Sequence, residues 1–138
     1  MVIADTGFWL ALANRRDRFH ERAAEVLETL DEGLVLTWPV LTETCYLLVH
    51  RLGVEAAERL LRSHEQGAFV VVDPAIHPLS RVEALLRKYQ DLPMDLADAT
   101  LVLLAEHLEH GRILSTDQRD FRAYRWKSRR PFQNLLIA

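Results

Sequence analysis

Short apolar runs alternate with longer amphipathic stretches along this chain. Val2-Ile-Ala reads as a buried strand, and Asp5-Thr-Gly follows as the turn into Phe8-Trp-Leu-Ala-Leu-Ala. From Asp17 to Leu30 the apolar positions Ala23, Ala24, Val26, Leu27 and Leu30 recur at helical spacing, with Glu21, Arg22, Glu25 and Glu28 between them. Gly33 ends that segment and Leu34-Val-Leu-Thr is the second strand. Thr37 is placed to cap the next helix, with Pro39 in its first turn. That helix continues through Leu47 and Leu48 towards Arg51 until Gly53 breaks it, and Val54 to Glu65 forms another. Ala68-Phe-Val-Val-Val is a third strand ending at Asp73-Pro. Helices are expected from Pro78 to Tyr89 and from Asp95 to His110, the second largely apolar and stopped at Gly111. Ile113-Leu-Ser is a fourth strand, and Pro131 to Ile137 is available for a final one.

Strands that alternate with helices imply βαβ units, hence an α/β fold with a mainly parallel sheet and helices on both faces. Ligands of such sheets bind outside the carboxyl ends of the strands. With 138 residues, one domain spanning residues 1–138 is expected, large enough to bury a substantial core. Hydrophobic residues make up 49% and charged ones 27%, which suits a globular protein and not a disordered one. The chain has no apolar run long enough for a membrane span, no secretory signal at Met-Val-Ile-Ala-Asp, and a single cysteine, Cys45. A reducing, cytoplasmic setting is therefore expected.

The net charge of -3 hides an asymmetry. From Gly111 onward Arg112, Arg119, Arg122, Arg125, Lys127, Arg129 and Arg130 face only Asp117 and Asp120, a surplus of five positive charges, while the remainder is acidic. A basic segment beside an acidic site suits a metal-dependent enzyme acting on a polyanion; a solvated basic edge is the plainer reading.

Four acids carry the chemistry. Asp5 follows the first strand, Glu43 follows Pro39-Val-Leu-Thr, Asp98 lies in Asp95-Leu-Ala-Asp-Ala, and Asp117 lies in Ser115-Thr-Asp-Gln-Arg-Asp-Phe121. Each sits in or beside apolar sequence, where a carboxylate is expensive without compensation. Carboxylates brought together repel, and a hard divalent cation is the usual remedy. Magnesium or manganese, and with it phosphoryl chemistry, is the reading that follows. The gaps of 38, 55 and 19 residues mean that only tertiary folding unites them.

Each acid also has a plainer reading. Asp5 can cap the helix that starts near Phe8. Glu43 has Pro39, Val40, Tyr46 and Leu47 as its helical neighbours, so its carboxylate is expected to point into the body of the protein, towards a metal or an internal arginine. Asp95 suits an N-cap and Asp98 the first turn, where the helix dipole favours negative charge; Asp98, followed by the apolar run from Ala99, is the better ligand. Asp117 is nearer the strand end than Asp120, which is a second contributor, and Ser115 and Thr116 are able to orient a carboxylate. Cys45, among Tyr46, Leu47 and Leu48, reads as a small core residue. His107 and His110 read as surface residues, and Trp9, Trp38 and Trp126 as core or sheet-edge aromatics. Tyr124 and Trp126, among arginines, also admit base stacking. No His-Glu-x-x-His, Gly-x-Ser-x-Gly or glycine-rich phosphate loop occurs.

The strand ending in Asp-Thr-Gly-Phe-Trp, then Glu43 after a proline, then Asp-Leu-Ala-Asp-Ala-Thr-Leu, then Ser-Thr-Asp-Gln-Arg-Asp-Phe, resembles a PIN domain over nearly the whole chain. The nearest group is the VapC-type toxin ribonucleases of toxin–antitoxin pairs. The resemblance implies a three-layer α/β/α domain and Mg²⁺- or Mn²⁺-dependent hydrolysis of RNA. By motif the site residues are Asp5, Glu43, Asp98 and Asp117, with Thr6, Asp95, Thr116 and Asp120 in support. It further implies a cognate antitoxin, a homodimer and no membrane. The alternatives are a catalytically silent PIN-like module that binds RNA or protein, and a haloacid-dehalogenase-like phosphatase using Asp5. The second expects another aspartate two residues on, where Gly7 stands.

Overall fold

Strand β1 (Val2–Ala4) is the middle of a five-stranded sheet in which all neighbouring pairs are parallel. The computed structural model describes residues 1–73 and 79–137. Val2, Ile3 and Ala4 are fully buried, as a central strand covered on both faces must be. On one side lie β2 (Leu34–Thr37) and β3 (Phe69–Val72); on the other lie β4 (Arg112–Leu114) and β7 (Gln133–Asn134). The helices α1 (Thr6–Ala13), α2 (His20–Thr29), α3 (Trp38–Leu52), α4 (Val54–Glu65), α5 (Leu79–Lys88), α6 (Leu96–Leu108) and α7 (Gln118–Ala123) complete a three-layer α/β/α domain.

The chain first builds the sheet from β1 towards β3, then crosses back to place β4 on the other side of β1. The order therefore reverses between β1 and β4, and the crevice at the carboxyl ends of these two strands is the natural ligand site. Asp5 leaves β1 and Ser115 leaves β4 at this crevice, joined by a hydrogen bond from the Asp5 N–H to the Leu114 carbonyl at 3.0 Å. The most deeply buried helix is α6. Its residues Ala99 to Ala105 are all buried, so its apolar character all round reflects packing on every side.

Several local expectations shift. Helix α2 begins at His20, because the Asp17 carboxylate accepts the Phe19 N–H at 2.8 Å and closes a turn there first. It ends at Thr29, before Gly33. Thr37 does not cap α3 with its side chain; its hydroxyl pairs with that of Thr100 at 2.8 Å, tying α3's start to α6. Gly111 is not the stop of α6: Glu109 takes the left-handed conformation (φ 61°) that ends the helix. Gly111 instead admits Trp126, whose Nε1 would lie 2.5 Å from any added Cβ. The final strand is only β7, and the segment before it forms an antiparallel hairpin of β5 (Arg125–Trp126) and β6 (Arg130–Pro131). The expected start of α5 at Pro78 lies outside the described residues. Trp9 and Trp126 are buried, but Trp38 is 55% exposed on α3. Trp126 and Tyr124 are not available to stack on bases, since Tyr124 is fully buried and Trp126 packs against Gly111.

Candidate carboxylate site

Asp5 is the N-cap of α1 and is almost completely buried. One carboxylate oxygen accepts the Thr6 N–H at 2.7 Å, and the other accepts the Ser115 hydroxyl at 3.0 Å. The Ser115 oxygen in turn accepts the Asp117 N–H at 3.0 Å. One fully buried hydroxyl thus couples the acid at the end of β1 to the backbone of the acid after β4. Asp117 caps α7 by accepting the Asp120 N–H at 3.1 Å. Asp120 is buried as well, and its carboxylate accepts Arg119 Nε at 3.2 Å.

Asp98 faces this pair from the first turn of α6. Asp95 accepts the Asp98 N–H at 2.8 Å and Asp98 reaches back to the Asp95 N–H at 3.4 Å, a capping box. Both structural roles read from the sequence are thus filled, and Asp98 also feels the charge of Asp5. The Tyr124 hydroxyl donates to Asp98 Oδ2 at 3.3 Å. Glu43 is half-buried on α3, not turned wholly into the body, because its neighbour Tyr46 lies on an exposed face. It borders a cleft of about 550 Å³ with Asp95, Trp38, Tyr46 and Leu96. Thr6 is buried, with the Thr44 hydroxyl at 3.3 Å, and Thr116 packs against Gly7.

Protonation shows how closely these groups influence one another. Burial pushes Asp5 up to about 6, only partly offset by its hydrogen bonds from Thr6 and Ser115; the charges of Glu43 and Asp117 raise it further. Asp98 is pushed up to about 8, first by burial and then by the charges of Asp5 and Asp95. Burial also raises Glu43, with Asp95 adding to the effect while the Thr6 hydroxyl offsets part of it. Asp117 is raised by burial and by Asp120. Tyr124, buried and beside Asp98, Asp120 and Asp117, is held far above the usual phenol range and remains a donor.

The donors fit a hard divalent cation in kind, being oxygen-only and carrying unfavourable mutual charge. Among the described residues, no group of three or more His, Cys, Asp or Glu side chains is already arranged to hold a metal ion. The fit is therefore one of donor type and charge, with the carboxylates still apart. Asp5, Asp98, Glu43 and Asp117 interact electrostatically across the crevice, while Asp95 and Asp120 are joined to them through caps.

A stability prediction follows from the raised acids. The folded protein holds a proton on Asp5 up to about pH 6, whereas its ordinary value is 3.8. The native state binds more protons than the unfolded chain between these values, so metal-free stability falls as pH rises through the window. Asp5 alone accounts for about 3 kcal/mol between pH 4 and pH 7. Glu32 acts in the opposite sense but lower down: bonded to Arg112 it is held at about 2, so its contribution disappears only in stronger acid. Urea unfolding in EDTA at pH 4.5 and 7.5 checks this; equal stability at both would refute it.

Two residues here were not legible as site residues. Tyr124 reads as part of a basic surface stretch, with nothing to announce its burial against Asp98. Asn134 accepts the Ser115 N–H (3.2 Å) and donates to the Ser115 carbonyl (2.8 Å), a contact that depends on sheet register. The basic segment is largely engaged internally. Arg112 pairs with Glu32, Arg119 with Asp120 and Lys127 with Glu109, while Arg125 donates to the carbonyls of Arg122 and Tyr124.

Comparison with known proteins agrees with this architecture. Residues 2–127 match the family model of the PIN domain. The chain is 31% identical over 124 residues to Ribonuclease VapC26 of Mycobacterium tuberculosis (strain ATCC 25618 / H37Rv), covering 90% of this chain and 92% of that one. It superimposes on the crystal structure of Mycobacterium tuberculosis VapC20, a sarcin–ricin loop cleaving toxin, with a TM-score of 0.79 at 21% identity. That match covers 86% of this chain and 92% of the other.

Proposed function

The chain belongs to the PIN-domain family, and we propose that it is a metal-dependent endoribonuclease of the VapC type, the toxin of a toxin–antitoxin pair. The observation that carries the reading is Asp5. It is a buried carboxylate at the reversal of strand order, fixed from both oxygens and close enough to Glu43, Asp98 and Asp117 that neighbouring charges add to burial in making Asp5 and Asp98 weaker acids. Similarity to a ribonuclease over nine-tenths of the chain supports the same reaction class. No observation favours a silent binding module.

In this reading Asp5, Glu43, Asp98 and Asp117 hold Mg²⁺ or Mn²⁺. Bound there, such a cation would make four neighbouring carboxylates tolerable and would supply water activation and charge compensation at the phosphoryl oxygens. Ser115 keeps both oxygens of Asp5 in one orientation together with the Thr6 N–H. Tyr124 keeps its proton and fixes the direction of the Asp98 carboxylate. Exposed Arg15, Arg16, Arg18, Arg122 and Arg129 make no ion pair among the described residues and are available to RNA phosphates. The antitoxin and a homodimer belong to the same proposal; exposed Trp38, Tyr46 and Leu96 offer an apolar face for self-association, which light scattering reads. Among the described residues no helix is long and apolar enough to cross a membrane.

The test incubates purified protein with total cellular RNA in Mg²⁺, Mn²⁺ or EDTA, beside Asp5→Asn. Fragments that appear with metal, vanish in EDTA and are absent with the variant are the expected result. RNA binding without turnover in any metal would instead identify a silent module, and cleavage that persists in EDTA and in the variant would refute the assignment of the site.

A further inference from the structure

The hydrogen-bonding ladder between β4 and β7 ends in an unusual way. Two regular rungs are present: the Gln133 N–H donates to the Gly111 carbonyl at 2.8 Å, and the Leu135 N–H donates to the Ile113 carbonyl at 2.7 Å. One rung further on, at Ser115, the partner is no longer the backbone of β7. The Asn134 carboxamide takes over both places. Its oxygen accepts the Ser115 N–H at 3.2 Å and its nitrogen donates to the Ser115 carbonyl at 2.8 Å. The same oxygen accepts the Leu136 N–H at 3.0 Å, which folds the chain after β7 around the carboxamide.

Ser115 is the residue whose hydroxyl joins the Asp5 carboxylate to the Asp117 backbone. Its side chain has one donor and must aim it at Asp5, so the orientation of its main chain decides whether both bonds are made. A serine held at both its N–H and its carbonyl has little freedom to rotate out of that arrangement. Leu136, the third group held by the same amide, is fully buried, so the carboxamide itself is anchored in the core. A side chain from the last strand of the sheet is therefore coupled to the acidic site through a single intermediate.

We propose that Asn134 is a positioning residue for the carboxylate site: it acts through Ser115 to hold Asp5 and Asp117 in register for the cation and, through them, for RNA cleavage. The inference rests on the metal-dependent nuclease reading above. Residues that orient a metal ligand from behind change metal affinity or activity by roughly 10- to 100-fold when removed. A residue that only closes the edge of a sheet does not.

The experiment measures Mn²⁺ binding to the EDTA-stripped protein, by loss of the free Mn²⁺ signal in electron paramagnetic resonance. RNA-cleavage kcat and KM at saturating metal accompany it. Asn134→Leu keeps the size of the side chain and removes all three hydrogen bonds. The expected result is Mn²⁺ affinity weakened by about tenfold or more and a kcat that falls by a similar factor with little change in KM. Ser115→Ala is expected to do the same, and the double variant Ser115→Ala/Asn134→Leu to be no worse than either alone, since both act along one path. Gln133→Ala, on the same strand, is the control and is expected to match the wild type. Asn134→Leu with wild-type Mn²⁺ affinity and kcat but a lower Tm would overturn the proposal, and so would fully additive effects of the two substitutions. If Asn134→Leu does not fold, Asn134→Ala, which leaves room for water, takes its place; failure of both while Gln133→Ala folds would mark Asn134 as a residue of the fold and overturn the proposal as well. A wild-type protein that neither binds Mn²⁺ nor cleaves RNA would remove the nuclease reading itself, an outcome distinct from a wild type that binds and an Asn134 variant that binds equally.

Discussion

Asp98→Asn is expected to abolish RNA cleavage while leaving the metal-free protein as stable as the wild type or more so. The first half follows from the proposed role as a ligand. Removing a group that merely supports a ligand costs roughly 10- to 100-fold, so loss of the ligand's charge should cost about a thousandfold or more. The second half follows from electrostatics. In the metal-free protein the acid of Asp98 is pushed up to about 8 by burial and by the charges of Asp5 and Asp95, from an ordinary value of 3.8. Its ionised form is therefore disfavoured in the native state, and metal-free stability falls as pH rises from about 4 towards 8. A neutral amide removes that penalty and keeps an oxygen for the Tyr124 hydroxyl to donate to. The long 3.4 Å capping contact from the Asp95 N–H reaches that same Oδ2, so a carboxamide oxygen in its place keeps both contacts.

The gain should accordingly depend on pH. Near pH 4.5 the wild type and Asp98→Asn should melt together. At pH 8 the variant should be more stable by about 1–3 kcal/mol, allowing for the partial exposure of the site. Mg²⁺ should then reverse the order, stabilising the wild type through binding to the native state and leaving the variant unmoved. Thermal melts at the two pH values, with EDTA and with Mg²⁺, provide the check. A variant that is clearly less stable than the wild type in EDTA at pH 8 would mean that Asp98 is a capping residue whose charge the fold needs.

How much of this was legible in the sequence depends on whether a feature is local. Asp5 and Asp117 could be recognised because the strands before them are short apolar runs that end abruptly, which places an acid at a carboxyl edge. Asp95 and Asp98 could be recognised as cap and first turn because a capping box is a four-residue pattern. Four apolar neighbours make Glu43 look buried, but α3 is apolar on most sides and its exposed side includes Tyr46. Periodicity could not tell which apolar face meets the sheet. Gly111 looks like a helix stop by a local rule, although its smallness is required by Trp126 fifteen residues later. Tyr124 between Arg122 and Arg125 looks like a surface residue, yet the arginines point out while the tyrosine points in towards Asp98. The Asn134–Ser115 contact was out of reach because the register of β4 on β7 is set by packing of the whole sheet.

Gly7→Ala is expected to damage activity far more than stability. Gly7 lies at the second position of α1, two residues after Asp5, and a Cβ there would sit 1.9 Å from Thr116 Oγ1 and 3.1 Å from Thr116 Cβ. The first overlap is too severe to absorb by small adjustments. Thr116 must leave its rotamer, or α1 must move away from the turn that follows β4. Overpacking of this kind costs about 1–3 kcal/mol, of which roughly 1 kcal/mol is returned by the better helix propensity of alanine. The net loss of stability is thus modest. The two parts that must separate, however, are those that carry Asp5 on one side and Asp117 on the other, and a displacement of about 1 Å at reacting groups is enough for a roughly hundredfold loss of rate. Cleavage should fall by about that factor with a Tm lowered by only a few degrees. Because the obstacle is one named atom, the defect should be reversible. Thr116→Ala in the Gly7→Ala background should restore activity to the level of Thr116→Ala alone, whereas Thr116→Ser, which keeps the hydroxyl, should restore little. Kinetics of the two single and two double variants decide the matter. Wild-type cleavage by Gly7→Ala would show that α1 and the β4 turn yield to each other without disturbing the carboxylates, and that their spacing is not what sets the site.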